Sequence, residues 1–187
     1  TPDWTPTAVT TLHRACPVLL ALALCDPWGR PGTPGDWPHW GHDMKRNMTC
    51  AETGLPSRFS AGDFLDGSDE VDMATTENVR WVVQLGSQSY GNPIAAGGRV
   101  YVGTNNDVPR DPRFQGDRSA LYCLDADTGA LLWQLSVPKL GTGQVSGGEF
   151  GGLCSAPAVV GVRRWVVTSR CELVCGDVGG GAGGSGG

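Results

Sequence analysis

Leu121-Tyr122-Cys123-Leu124-Asp125-Ala126-Asp127-Thr128-Gly129-Ala130-Leu131-Leu132-Trp133 reads as strand, tight turn, strand. From Leu121 to Asp125 side chains alternate between faces, as a strand requires, so Leu121, Cys123 and Asp125 share one side. The turn chemistry follows at once. Asp and Thr oxygens bond nearby backbone N–H groups, and Gly129 supplies the positive φ that reverses the chain within a few residues. Leu131 and Trp133 then share one face of the returning strand.

Both ends of this stretch recur. Trp81-Val82-Val83-Gln84-Leu85 returns as Trp133-Gln134-Leu135-Ser136-Val137, and Leu121-Tyr122-Cys123-Leu124-Asp125 returns as Leu173-Val174-Cys175-Gly176-Asp177, each pair 52 positions apart. Between them, Asn92-Pro93-Ile94-Ala95-Ala96 with Arg99-Val100-Tyr101-Val102 has a counterpart in Ala156-Pro157-Ala158-Val159-Val160 with Arg164-Trp165-Val166-Val167, where Pro93 and Pro157 are 64 apart. The two offsets imply loop insertions of different length around shared strands. Short strands repeating at this period point to a radial β architecture whose units stack to bury one core. Residues 99–104 and 164–168 are further β-rich runs, and residues 79–178 sustain no i, i+3, i+4 apolar pattern over a dozen residues. Helices are therefore expected to be minor.

Asp125-Ala126-Asp127-Thr128-Gly129 followed by Trp133 resembles the repeat of the pyrroloquinoline quinone (PQQ) binding-like β-propellers. In that family an Asp-Ala-x-Thr-Gly turn precedes a Trp packed between blades. Asp36-Trp37-Pro38-His39-Trp40-Gly41-His42-Asp43 with Arg46-Asn47 is similar to the mature N-terminus of many members. Residues 86–93 through 103–106 resemble a first blade of the secreted bacterial branch. The resemblance covers residues 36–178 and implies an all-β fold, a partial β-propeller of about two blades from a seven- or eight-bladed quinoprotein-like ring. On this reading Asp125, Ala126, Thr128 and Gly129 are structural repeat residues, and Trp81, Trp133 and Trp165 are blade-packing residues, since a buried indole contributes a few kcal/mol.

Length limits what this stretch does alone. It holds 143 residues, against roughly 40–50 per four-stranded blade in rings of four to eight blades. Two blades leave side edges unpaired, so the chain is expected to be a fragment of a longer protein. Residues 1–35 read as a leader followed by a Pro/Gly-rich spacer, and residues 179–187 as a Gly-rich tail. Within the leader, residues 15–25 form an uncharged apolar run preceded by His13 and Arg14. It is too short to span a bilayer but suits the core of a secretory signal. Export to the periplasm or beyond is therefore expected. Membrane association would come only through that signal or a lipid anchor at Cys25, and Leu24 stands where lipidation wants a small residue.

A net charge of −5, with 18% charged residues and no basic cluster, argues against nucleic-acid binding, which needs concentrated Lys and Arg. Asp63, Asp66, Asp69, Glu70, Asp72 and Glu77 crowd one segment, but their order lacks the ligand pattern of a calcium hand. It reads as a solvated insertion loop. Outside the leader stand Cys50, Cys123, Cys154, Cys171 and Cys175, an odd number that cannot all pair within the chain. Cys123 and Cys175 occupy equivalent repeat positions and are expected in the core. Cys171 and Cys175, read as one strand, would lie about 13 Å apart, too far for a direct bond. His39 and His42 have metal-like spacing near Cys50, without an evident fourth ligand. The Gly-rich region from Gly141 to Gly152 lacks the strand-then-helix context of a phosphate loop.

No Ser/His/Asp group assembles from the three histidines, all N-terminal. Relatives in the quinoprotein dehydrogenase branch use PQQ with calcium, a catalytic Asp and often a disulfide between adjacent cysteines; here Cys154 is followed by Ser155. The resemblance therefore implies a non-catalytic exported domain that binds proteins or acts as a scaffold, similar to the outer-membrane protein assembly lipoprotein. The alternative is a PQQ-dependent oxidoreductase whose catalytic residues, PQQ and calcium would belong to blades outside this stretch.

Overall fold

The computed structural model describes residues 35–140 and 150–180. The leader, most of the Gly-rich region and most of the tail lie outside the described residues. The fold is all-β, built from two antiparallel sheets; among the described residues the one helical element is a single 3-10 turn at Met73–Thr75. The first sheet has four strands in sequential order, β1 (Ile94–Ala96), β2 (Arg99–Asn105), β3 (Arg118–Asp125) and β4 (Leu131–Pro138). The second has three, β5 (Ala158–Val160), β6 (Arg163–Val167) and β7 (Leu173–Asp177).

Alternation sets the packing of the first sheet. Ile94, Tyr101, Leu121 and Cys123 point one way, into a core completed by Leu153 and by Val159 and Val166 of the second sheet. Val102, Ala120, Tyr122 and Leu124 point the other way, against Trp81, Val83 and Leu85. The sheet is thus buried on both faces. Each fully covered aliphatic side chain such as Ile94, Leu121 or Val166 stabilises by about 1.5–3 kcal/mol.

The second sheet repeats the register of the first. Ile94 lies opposite Tyr101 and Tyr101 opposite Cys123, while Ala158 lies opposite Trp165 and Trp165 opposite Cys175. Arg99 faces Asp125 as Arg163 faces Asp177. The counterpart of Arg99 is therefore Arg163, one residue earlier than the sequence alignment placed it, and β6 begins there. Two adjacent arginines leave the sequence ambiguous; only the cross-strand partner resolves it.

Two segments outside the strands complete the assembly. Trp37 exchanges backbone hydrogen bonds with Ala95, and the Pro38 carbonyl accepts from the Val159 amide at 2.7 Å, so the N-terminal segment runs along the free edges of both β1 and β5. Residues 81–85, the sequence equivalent of β4, pack beside the first sheet and join no sheet among the described residues. Arg110 anchors them by donating to the Gln84 carbonyl.

The cysteines divide differently from the expectation. Cys123 is fully buried, but Cys175 is exposed, because no element among the described residues covers its face of the second sheet. Cys171 is not on the strand. It sits at φ 60° in the β6–β7 turn, its amide bonded to the Thr168 carbonyl.

Candidate functional site

The motif residues come together at one corner of the first sheet. Asp125, the last residue of β3, turns its Oδ1 inward to accept from the Asp127 amide at 3.1 Å, the Thr128 amide at 2.9 Å and the Thr128 hydroxyl at 2.8 Å. These bonds hold the Asp125 carboxyl below the ordinary carboxylate range, the Thr128 hydroxyl first, then the Thr128 and Asp127 amides. Thr128 Oγ1 accepts in turn from the Ala130 amide. Ala126 uses both backbone groups, donating to the Gly98 carbonyl and accepting from the indole of Trp81 at 2.9 Å. Gly129 has φ 73°, and a Cβ there would come within 2.7 Å of the Trp81 ring.

The same construction recurs at the second corner. Asp177 Oδ1 accepts from the Gly179 amide, Val178 donates to the Val162 carbonyl, and the Val178 carbonyl accepts from the indole of Trp133 at 3.0 Å. Gly180, at φ 80°, takes the place of Gly129: a Cβ there would lie 2.5 Å from the Trp133 ring. This turn is one residue shorter and lacks the threonine. Trp81 and Trp133 are thus equivalent caps, each laid over the turn of the next sheet. Trp165 holds a different place, opposite Cys175 on the uncovered face, where the first sheet has Tyr101.

Arg164 sits beneath this cap and escaped the sequence reading. It is 5% exposed, its guanidinium lies 4.2 Å from the centre of the Trp133 ring, and its Nε and Nη1 have no hydrogen-bond partner among the described residues. Burial lowers its pKa, partly offset by the Tyr101, Cys123, Cys175 and Asp177 side chains. Its equivalent in the first sheet is Val100, which packs against the cluster of Val102, Ala120, Tyr122 and Leu124. An arginine at a β-branched core position was the available signal.

The remaining candidates stand apart. The acidic residues lie on an exposed excursion closed by bridges between Ser60 and Glu77 and between Phe64 and Val71. Asp72 caps the 3-10 turn by accepting from the Ala74 amide. Among the described residues no group of three or more His, Cys, Asp or Glu side chains is placed to hold a metal ion. The His42 ring packs on Trp37, centroids 4.5 Å apart, while His39 Nδ1 lies 3.1 Å from the Trp40 carbonyl. A surface depression lined by Leu55, Arg58, Glu77, Asn78 and Arg80 is formed by loop residues. Among the described residues no helix is long and apolar enough to cross a membrane.

The motif side chains therefore bond their own turns, and what faces solvent is an apolar sheet face. Val160, Val167 and Leu173 are 50%, 47% and 69% exposed there. Such a face suits packing against another β element. No protein-family model matches the chain, and no curated protein matches it significantly.

Proposed function

We propose that the chain is part of an exported PQQ-binding-like β-propeller and works as a non-catalytic domain that binds proteins or acts as a scaffold. The observation that carries this reading is the repeated corner. Two sheets of like register are each capped by a tryptophan from the preceding unit, 52 residues apart, donating to the residue after a strand-ending Asp. A unit built this way buries one face on its predecessor and offers the other to a successor. Asp125 Oδ1 and Thr128 Oγ1, on the side chains with the most distinctive spacing, are engaged in holding the turn.

Titration with PQQ in the presence of calcium, followed by tryptophan fluorescence and by dye reduction with alcohols and sugars, tests the reading on the full-length protein. No binding up to high micromolar PQQ and no dye reduction are expected. Calcium-dependent binding together with turnover would replace the scaffold with a quinoprotein dehydrogenase.

A further inference from the structure

The interface between the two sheets holds a cluster of polar side chains that the turns and caps do not use. Arg99 and Tyr101 share a face of β2, and Cys123 lies opposite Tyr101 on β3. From the second sheet Arg164 reaches the same place. Its guanidinium lies 4.2 Å from the centre of the Trp133 ring, and the centre of the Tyr101 ring lies 5.9 Å from that of the same tryptophan. Room for the guanidinium comes from Gly176, directly opposite on β7, where a Cβ would fall 2.8 Å from Arg164 Cζ. In the first sheet the corresponding pair is Val100 opposite Leu124. The second sheet therefore differs at both members of one cross-strand pair, and a buried cation stands where the first sheet has two aliphatic side chains.

The cluster supplies donors and positive charge in excess of acceptors. Arg99 Nε, Tyr101 Oη and Arg164 Nε and Nη1 are all buried without a hydrogen-bond partner among the described residues, where buried polar groups are ordinarily bonded. No carboxylate among the described residues forms an ion pair with either arginine. Asp125 Oδ1 and Asp177 Oδ1, at the neighbouring strand ends, accept from their own turns instead. Burial pushes the Tyr101 phenol up while Arg99 and Arg164 pull against it, so both guanidinium groups act on this one oxygen. Arginine stays charged, and a buried charge left without a counter-charge is strongly destabilising. A water molecule brings no charge and fewer lone pairs than the cluster has donors. We propose that a small monovalent anion, chloride in ordinary surroundings, binds between the two sheets as the counter-ion of Arg164 and Arg99 and accepts hydrogen bonds from Arg164 and Tyr101. The core side chains packed around these groups select against sulfate and phosphate, whose stronger hydration costs more to remove. Because its donors come from β2 of one sheet and β6 of the other, the ion ties the two units together.

Thermal melts of the full-length protein at constant ionic strength, with sodium chloride replacing sodium gluconate, test the site. The midpoint is expected to rise along a single-site saturation curve, with bromide able to replace chloride and sulfate unable to. Tyr101→Phe weakens the apparent chloride affinity by roughly three- to tenfold, and Arg164→Met, with an uncharged side chain, abolishes the chloride dependence. A crystal grown in bromide is expected to show an anomalous peak within hydrogen-bonding distance of both Arg164 and Tyr101, a readout that does not depend on either variant folding. No response to chloride overturns the proposal. A response equal in the native chain and Arg164→Met, or a bromide crystal without that peak, overturns it as well and leaves an adventitious ion only.

Discussion

Trp81 is held to its turn by close packing on Gly129 as much as by its hydrogen bond to the Ala126 carbonyl. Gly129→Ala places a Cβ within 2.7 Å of the Trp81 ring at φ 73°, combining left-handed strain with overpacking. A loss of about 2–3 kcal/mol is expected in urea unfolding. Trp81→Phe keeps most of the apolar area and removes the bond to the Ala126 carbonyl, so it costs about 1 kcal/mol, plus the stranded carbonyl if water does not reach it. Asp125 gives a pH signature. Its folded pKa is depressed, so its contribution is fully present above the unfolded value near 3.9 and is lost as pH falls through the folded value. Asp125→Asn is therefore expected to be less stable than the native chain at neutral pH, with the gap closing below about pH 4 in thermal melts. The turn, its glycine and the cap are legible in the sequence because all three are local chemistry at fixed spacing. Which carbonyl the indole reaches is not, since Trp81 and Ala126 meet only once residues 81–85 pack on the first sheet.

Across an element, the decisive contacts are cross-strand. Tyr101 and Cys123 face each other from β2 and β3, both fully buried. Burial pushes the Cys123 thiol up to about 11 and the Tyr101 phenol up to about 12. Both prefer the neutral form in the fold, so their contribution is fully present below the unfolded thiol value of about 9 and is lost as pH rises toward the folded values. Steepening alkaline unfolding between about pH 9 and 12 is expected, softened by Tyr101→Phe. Alkylation at pH 8 should modify Cys50, Cys154, Cys171 and Cys175 and spare Cys123 until denaturant is added, as peptide mass spectrometry would show. The equivalence of Cys123 and Cys175 was legible from the repeat. Their opposite burial was not, because burial belongs to the neighbouring sheet rather than to the strand. Arg164 makes the same point energetically. Its stacking on Trp133 contributes about 2 kcal/mol when desolvated, while burying a guanidinium with unmet donors costs several. Arg164→Met is expected to leave stability unchanged or raise it by about 1–2 kcal/mol in urea denaturation.

The whole molecule is asymmetric although its two units are alike. Among the described residues the first sheet has four strands and both faces covered; the second has three and one face open. Cooperativity should follow that difference, since local opening is cheapest where few apolar contacts close over the backbone. Hydrogen exchange is expected to be slowest in β2 and β3, which have paired neighbours on both sides. It is expected to be fastest among strand residues at the β7 amides directed away from β6.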